Sequence, residues 1–295
     1  MIAPAFSTPS VTVYCGDALA VLRELPDASV DCVVTSPPYA QLVNYDTAAP
    51  RYARGDSRKN RTGIPAAPFA DWLLPILAEV ARLMRPGAVL ALNLNSTSSA
   101  IFPEEVVVRV VRECGLRLHE RVAWVKSNAA PTTNMRTHLI PAWEPVYVFT
   151  QGAGPAVFDR DAIRRPYSAA TIARYRSNKG TLWNGATRHA RSERRWNVKV
   201  VLHPAGAHPT NVLAFPPEQR VTYPHPARFP EALPAFFISA YTARGGVVLD
   251  PFAGSGTTLA VARDLDRLAI GVEILPKFVR LIEHRCAQLG LVVTA

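Results

Sequence analysis

The sequence of 295 residues is long enough for one large domain or for a domain with an insert. Hydrophobic residues make up 48% of it, so a sizeable core can form and a globally disordered chain is not expected. The net charge of +10 and the pI of about 9.8 favour a polyanionic partner such as nucleic acid. Residues 151–200 hold 11 Lys and Arg against 3 Asp and Glu, which places +8 of the +10 in one stretch.

The four cysteines are Cys15, Cys32, Cys114 and Cys286, and no two of them form a C-x-x-C pair. This spacing favours buried, reduced thiols over a disulfide framework or a metal site, and we expect a cytoplasmic protein without a metal ion. The N-terminus has no basic and apolar signal pattern, and no apolar run is long enough to span a membrane.

The first half of the chain alternates short apolar runs with helical patterns. Val11–Cys15 and Val30–Val34 predict strands, and Asp17 lies between them at the start of a short helix. Asp17 could cap that helix or accept a hydrogen bond from a bound nucleotide. This alternation predicts a mostly parallel sheet with helices on both faces. Further helices are predicted at 72–84 and 104–114, and further strands at 88–94, 118–125 and 143–150.

The segment T-S-P-P-Y at 35–39 follows the second strand. Its two prolines end the strand, because neither donates a ladder hydrogen bond, and they stiffen the turn. Ser36 and Tyr39 are therefore held at the carboxyl end of a strand, where open α/β sheets bind ligands. A hydroxyl, a carbonyl beside Pro37 and an aromatic face suit a flat heterocycle with an exocyclic amine. The alternative is a structural Pro-Pro turn.

Two regions concentrate basic residues. Residues 40–68 predict a long loop that could close over a phosphodiester backbone, with a mobile solvated loop as the alternative. Residues 151–208 interleave basic and aromatic side chains, which suits phosphate contacts and base stacking. No helix-turn-helix or zinc-finger pattern shows which side chains would contact bases. The predicted DNA contacts are Arg51, Arg54, Arg58, Lys59, Arg164, Arg165, Arg174, Arg176, Arg191, Arg194 and Arg195.

The C-terminal part contains a glycine turn between a predicted strand and a predicted helix. Gly254 and Gly256 let the backbone approach a ligand closely. The turn is not G-x-G-x-x-G, because Thr258 is polar and no third glycine follows, and it is not a P-loop, because no lysine follows. The elements predicted here are helices at 231–242, 257–265 and 276–289 and strands at 246–250 and 268–273.

Asp250 and Glu273 end the two strands of this part. An acid at a strand end would repel a pyrophosphate and could bind a cationic or amine-bearing ligand. Glu273 lies 23 residues after Asp250, where an acid binds the ribose hydroxyls of a nucleoside. As a pair they predict a pocket for a nucleoside with an amine and no phosphates. Singly, each could be a helix cap or a solvated strand end.

These motifs together resemble the S-adenosylmethionine-dependent amino methyltransferases of DNA, which act on cytosine N4 or adenine N6. The catalytic motif comes first and the cofactor motif last, as in the circularly permuted β group of that family. The resemblance implies a Rossmann-like α/β methyltransferase sheet with helices on both faces, plus a basic target-recognition insert. It implies a catalytic domain at 1–150 and 209–295 and a DNA target-recognition region at 151–208. The matching segments are S-P-P-Y at 36–39, D-P-F-A-G-S-G-T-T at 250–258, H-P-A-R-F-P at 225–230, Y-C-G-D at 14–17 and G-V-E at 271–273.

The resemblance also implies S-adenosylmethionine as cofactor and a role for each matching residue. Asp250 would face the amino-acid end of the cofactor, Glu273 would hold the ribose, and Asp17 would accept from the adenine amine. Phe252 and the backbone of Gly254 and Gly256 would pack along the cofactor. The implied cofactor-binding residues are Asp17, Asp250, Pro251, Phe252, Gly254, Ser255, Gly256, Thr257 and Glu273.

The implied catalytic residues are Ser36, Pro37, Pro38 and Tyr39. Tyr39 would stack on a base flipped out of the duplex, while the Ser36 hydroxyl and the Pro37 carbonyl would hydrogen-bond its exocyclic amine. Direct attack on the methyl follows, and positioning supplies most of the rate. A serine before Pro-Pro-Tyr is commoner in the N4-cytosine enzymes of this family, so cytosine N4 is expected and adenine N6 is the alternative. No Pro-Cys pair is present, which disfavours C5-cytosine methylation.

Other classes of protein stay open on sequence grounds. They are a nicotinamide or flavin enzyme on a similar sheet, a DNA-binding protein with an inactive catalytic domain, and an RNA or protein methyltransferase. The expected partner is double-stranded DNA, and a cognate restriction endonuclease is a candidate partner. The chain is expected to act as a monomer or a homodimer.

Overall fold

The computed structural model describes residues 2–38, 66–95, 102–127, 139–177, 202–216 and 229–287. The chain forms two compact units, one from residues 1–158 with 211–295 and one from residues 159–210. The larger unit thus includes residues 151–158, which precede the smaller one. That the basic part of the chain recognises DNA stays a prediction.

Nine strands form one sheet in the described residues of the larger unit. They are β1 (Phe6–Ser7), β2 (Val11–Cys15), β3 (Val30–Thr35), β4 (Met84–Asn93), β5 (Arg117–Val125), β6 (Trp143–Thr150), β7 (Val212–Ala214), β8 (Val247–Asp250) and β9 (Leu268–Glu273). Their order across the sheet is β1-β2-β9-β8-β3-β4-β6-β5-β7. Strands β2, β9, β8, β3 and β4 run parallel, so their carboxyl ends share one edge of the sheet.

Helices cover both faces of this sheet. They are α1 (Ala18–Glu24), α2 (Ala66–Leu83), α3 (Phe102–Glu113), α5 (Ala232–Tyr241), α6 (Thr257–Asp264) and α7 (Pro276–Ala287), whereas α4 (Ala169–Ser177) belongs to the smaller unit. Helices α1, α2 and α3 share one hydrophobic core with the sheet, in which Val33, Leu77 and Val110 are fully buried. Helices α5, α6 and α7 pack together outside that core and bury Phe237 and Ile282. The predicted mostly parallel sheet with helices on both faces is confirmed.

The main departure from the predicted elements lies between α2 and β4. The sequence predicts that 85–87 stops a helix before a strand at 88–94, but β4 begins at Met84. Gly87 has a φ of 81°, and the register with β3 shifts between the pairs Val30–Met84 and Cys32–Val89. The Arg-Pro-Gly segment is therefore an irregularity inside the strand. Helix α2 also begins earlier than predicted, at Ala66, within the region predicted as loop.

All four cysteines carry free thiols. Cys32 and Cys286 are buried as predicted, and Cys114 is partly buried. Cys15 is exposed, so the prediction of a buried thiol is wrong there. The reason is its place as the last residue of β2, at the open edge of the sheet. Within the described ranges, no helix is long and apolar enough to cross a membrane, and no three His, Cys, Asp or Glu side chains cluster around a cation-sized site.

Candidate active site

Four adjacent parallel strands bring the predicted site residues to one edge of the sheet. Strand β2 leads into Asp17, β9 ends at Glu273, β8 ends at Asp250 and β3 leads into Ser36. The strands lie in that order across the sheet. Because neighbouring strands are about 4.8 Å apart, the row from β2 to β3 spans about 14 Å. The two acids therefore lie between Asp17 at one end and Ser36 at the other.

Asp250 is a buried carboxylate that joins two strands. It is 2% exposed, and its Oδ1 accepts a hydrogen bond of 2.7 Å from the Thr35 hydroxyl of β3. The same oxygen accepts from the backbone N–H of Phe252 at 3.1 Å. Burial raises the pKa of Asp250 to about 6, while hydrogen bonds from Thr35, Thr258 and Phe252 act in the opposite direction. These donors fix the carboxylate at the start of the glycine turn.

Glu273 is held by the backbone on both of its oxygens. Its Oε2 accepts from the N–H of Gly254 at 2.9 Å, and its Oε1 accepts from the N–H of Leu275 at 2.8 Å. Burial raises the pKa of Glu273 to about 7; these backbone donors lower it, and the nearby charge of Asp250 raises it further. The carboxylate therefore has one fixed orientation beside the glycine turn.

Both glycines of the turn adopt a left-handed backbone conformation. Gly254 and Gly256 have φ angles of 53° and 77°, in the left-handed region that favours glycine. A Cβ at position 256 would lie 3.0 Å from Cγ1 of Ile282 on α7. Conformation and space thus both favour glycine at 256, and α6 begins directly after it.

An aromatic pair covers the first part of this turn. The Phe252 ring is partly buried, and its centroid lies 5.7 Å from that of Trp72 at an interplanar angle of 43°. Trp72 belongs to α2 and also contacts Phe69. The sequence places Trp72 in a helix, but helical spacing alone does not show that it reaches the cofactor motif.

Asp17 caps the helix that follows it, which is one of the two roles that the sequence allowed. Its Oδ1 accepts from the N–H of Ala20 at 3.1 Å, and the side chain is exposed at the sheet edge. A contact with a nucleotide stays a prediction.

The catalytic motif is described only in part. Ser36 and Pro38 are partly buried and Pro37 is buried, all directly after β3. Tyr39 lies outside the described residues, as do Arg51, Arg54, Arg58, Lys59, Arg191, Arg194 and Arg195.

The predicted DNA contacts that the structure describes in the smaller unit fall into two groups. The Arg164 side chain is 8% exposed, and it donates to Asp161 at 2.7 Å and to the carbonyl of Gly206 at 2.9 Å. Arg165, Arg174 and Arg176 are exposed. Arg164 is thus engaged in contacts inside its unit, whereas the other three extend into solvent.

Two further residues of this site have little signal in the sequence. Thr35 donates to Asp250, and the only signal for it is a polar residue at the end of an apolar run. Arg285 of α7 contacts the glycine turn at Ser255 and Thr257. Its signal is weaker still, because a single arginine in an amphipathic helix normally lies on the solvated face.

Comparison with known proteins identifies the family. A family model for DNA methylases of the N6 and N4 type matches residues 30–284. The DNA adenine methyltransferase YhdJ of Escherichia coli K12 is 28% identical over 94% of this chain and 82% of its own length. The type II methyltransferase M.PvuII of Proteus hauseri is 25% identical over 94% of this chain and 83% of its own.

Solved structures agree on the fold. The structure of the PvuII cytosine-N4-specific DNA methyltransferase superposes on this chain with a TM-score of 0.69 at 22% identity. The superposition covers 99% of this chain and 91% of the PvuII chain. The structure of M1.HpyAVI in complex with SAM superposes with a TM-score of 0.59 at 20% identity, and the superposition covers 94% of this chain and 99% of the M1.HpyAVI chain. The chain belongs to the N6/N4 family of DNA methylases. The resemblance to S-adenosylmethionine-dependent DNA amino methyltransferases is confirmed, and with it the methyltransferase fold and the cofactor.

The residues at the sheet edge fit S-adenosylmethionine. Gly254 has no side chain and a left-handed backbone, so the chain can approach an extended ligand closely there. Asp250 and Glu273 supply two buried carboxylates to a ligand with a sulfonium and an ammonium group. Each carboxylate oxygen has more than one lone-pair position, so Glu273 can accept from ribose hydroxyls while its backbone donors stay in place.

Proposed function

We propose that this protein transfers a methyl group from S-adenosylmethionine to the exocyclic N4 amine of a cytosine flipped out of duplex DNA. The observation that carries the proposal is the row of strand ends. Asp17, Glu273, Asp250 and Ser36 follow adjacent strands in that order, so the cofactor residues lead directly to the catalytic motif. The family assignment supports methyl transfer to a DNA amine.

The cofactor would lie along this row, and when bound it supplies a methyl group activated by a sulfonium. Glu273 would hold the ribose hydroxyls, and Asp17 would accept from the adenine amine at the far end. Asp250 would stabilise the amino-acid end by its negative charge, and its bond to Thr35 holds it in place. Phe252, backed by Trp72, would form the apolar wall beside the cofactor.

The target amine would be bound by the motif after β3. The Ser36 hydroxyl and the Pro37 carbonyl would accept hydrogen bonds from the amine hydrogens, which draws the nitrogen toward tetrahedral geometry and frees its lone pair from the ring. Tyr39 would stack on the flipped base and offset part of the cost of unstacking, which is roughly a few kcal/mol. Because the reacting atoms are held in line, most of the acceleration comes from positioning.

Cytosine N4 is favoured over adenine N6 by two observations. The residue before Pro-Pro-Tyr is Ser36, and the structural match with a TM-score of 0.69 is described as cytosine-N4-specific. Adenine N6 is the second candidate, since YhdJ is described as an adenine methyltransferase. The chemistry at the amine is the same for both bases, so the assignment depends on the shape of the base pocket.

DNA would be bound by the exposed cations of the smaller unit, with Arg165, Arg174 and Arg176 contacting phosphates. The motif order, with the catalytic motif first and the cofactor motif last, is the permuted order of the β group. Relatives described as type II methyltransferases support a role in restriction–modification beside a cognate endonuclease. Such an enzyme would work in the cytoplasm.

A monomer would suffice for a palindromic DNA site, because it can methylate the two strands one after the other.

The test is transfer of tritiated methyl from S-adenosylmethionine to macromolecules. Mixed-sequence plasmid DNA, total RNA and a protein extract are offered separately to the purified protein. We expect label in DNA alone. Label in RNA or protein, or none at all, would contradict the proposal and favour an RNA or protein methyltransferase or an inactive DNA-binding protein.

A further inference from the structure

Arg285 of α7 is a buried cation that contacts the glycine turn at Ser255 and Thr257, whereas Glu273 contacts it at Gly254. Its side chain is 8% exposed. One terminal nitrogen donates to the Thr257 hydroxyl at 3.1 Å and lies 3.4 Å from the carbonyl oxygen of Ser255. The other forms an ion pair with Glu231, the residue before α5. One guanidinium thus joins α7, the turn and the start of α5.

The turn is therefore held at two points. At Gly254, the backbone N–H is fixed by Glu273 at 2.9 Å. Farther along the turn, Arg285 contacts the backbone carbonyl of Ser255 and the hydroxyl of Thr257, and the hydroxyls of these two residues lie 3.3 Å apart. The glycine between these points, Gly256, has no side chain of its own to restrain it.

The backbone of Arg285 is itself anchored to the helix that the turn begins. Arg263 of α6 donates to the carbonyl of Arg285 at 3.2 Å and to that of Cys286 at 2.7 Å. The contacts form a closed ring that runs from the turn through α6 and Arg263 to Arg285 and back to the turn. Loss of the Arg285 side chain would open this ring at the turn.

The ion pair orients the guanidinium. The Glu231 side chain is 63% exposed, so its charge is screened and contributes little to stability by itself. The guanidinium of arginine has several N–H donors in one plane, so one side chain can donate to Glu231 and to the turn at the same time. Lysine keeps the positive charge, but its single ammonium group cannot reproduce the contacts in both directions.

We propose that Arg285 is a positioning residue of the cofactor site, which holds the backbone of the glycine turn in the conformation that binds S-adenosylmethionine. The inference rests on the proposed function for the identity of the ligand. Glu231 assists by orienting the guanidinium, and it links the Phe229-Pro230 segment before α5 to the turn.

The test compares Arg285→Met, Arg285→Lys and Glu231→Gln with Arg280→Met, an exposed arginine on the same helix. Two readouts are used: S-adenosylhomocysteine affinity by calorimetry, and amide hydrogen exchange of the turn in the ligand-free protein. We expect Arg285→Met to weaken the affinity about tenfold, Arg285→Lys and Glu231→Gln to have smaller effects, and Arg280→Met to have none. We also expect faster exchange at residues 252–257 in Arg285→Met.

A purely structural role would lower the unfolding midpoint of Arg285→Met and leave the affinity of the folded variant unchanged. That result, or unchanged exchange in the turn, would overturn the proposal. If the wild-type protein itself bound no S-adenosylhomocysteine, the proposed function would fail, and the exchange measurement would still decide whether Arg285 positions the turn.

Discussion

The hydroxyl of Thr35 donates a 2.7 Å hydrogen bond to Oδ1 of Asp250, across 215 positions of the chain. Thr35 is 1% exposed and is the last residue of β3, directly before Ser36. Asp250 is the last residue of β8, directly before the glycine turn. This buried hydrogen bond therefore connects the catalytic motif to the cofactor motif, in addition to the pairing of β3 with β8.

Replacement of Thr35 by valine keeps the size of the side chain and removes this donor. A buried hydrogen bond to a charged group contributes about 1.5–3 kcal/mol, so we expect the free energy of unfolding to fall by about 2 kcal/mol. Urea denaturation measures the loss. Thr35→Ser retains the hydroxyl and is the matched control; equal stability of the two variants would show that the bond contributes nothing.

Replacement of Ser36 by alanine removes the proposed hydroxyl contact to the target amine. We expect the rate of methyl transfer to fall about 100-fold or more, with S-adenosylhomocysteine affinity unchanged, because the hydroxyl acts on the base and not on the cofactor. Single-turnover kinetics and calorimetry separate the two. Ser29→Ala is the control, since Ser29 lies just before β3 and donates to the carbonyl of Pro26. A wild-type rate in Ser36→Ala would remove Ser36 from the mechanism.

Alanine substitutions at two glycines with the same backbone conformation distinguish backbone strain from steric crowding in the turn. Gly256 and Gly245 both have a φ of 77°, but a Cβ meets Ile282 at 3.0 Å at position 256 and nothing within 4 Å at position 245. Alanine at either position costs about 1–2 kcal/mol for the left-handed conformation. We expect Gly256→Ala to lose further stability and to weaken S-adenosylhomocysteine binding, while Gly245→Ala keeps the affinity. Equal unfolding midpoints and equal affinities would contradict this view of the turn.

The affinity for cofactor should depend on pH through Glu273. Burial raises the pKa of this acid to about 7, and the ionised form is the better acceptor for ribose hydroxyls. Affinity is therefore expected to be full well above pH 7 and to be lost as the pH falls below it. We expect S-adenosylhomocysteine to bind about tenfold more weakly at pH 6 than at pH 8. Glu273→Gln cannot titrate and should flatten the profile; an equally steep profile in that variant would assign the dependence to another group.

The salt dependence of DNA binding tests the exposed cations of α4. Each phosphate contact contributes about 0.9 to the slope of log affinity against log salt, so Arg174→Gln with Arg176→Gln should reduce the slope by roughly 1.8. Fluorescence anisotropy at several salt concentrations measures it. The matched control is Arg112→Gln with Arg117→Gln, two exposed arginines of the larger unit. If both pairs change the slope equally, the effect is general charge and not a binding surface.

Elements with a strong local signal could be predicted from the sequence. The bounds of Val11–Cys15, Trp143–Thr150 and Leu268–Glu273 agree with the structure, because alternating or continuous apolar residues end there at glycine, turn or charged residues. Helix α4 was not predicted, since none of its residues is buried and its sequence has no apolar stripe. Strand β7 has three residues, too few for a period to be recognised.

The same distinction between a strong and a weak local signal applies to the residues of the site. Glu273 and the two glycines of the turn could be found because a motif specifies their types and their spacing along the chain. Thr35 and Arg285 could not, because each acts through a contact with a residue distant in sequence. Such contacts depend on which strands become neighbours, and the insertion of β8 and β9 between β2 and β3 has no local signal.

The most direct test of the account is the identity of the methylated nucleoside. Mixed-sequence plasmid DNA is incubated with the protein and S-adenosylmethionine, digested to nucleosides and analysed by mass spectrometry. The account predicts N4-methylcytosine. N6-methyladenine would contradict the base assignment and leave the fold, the cofactor and the site in place, and the absence of any modified nucleoside would contradict the proposed DNA methylation itself.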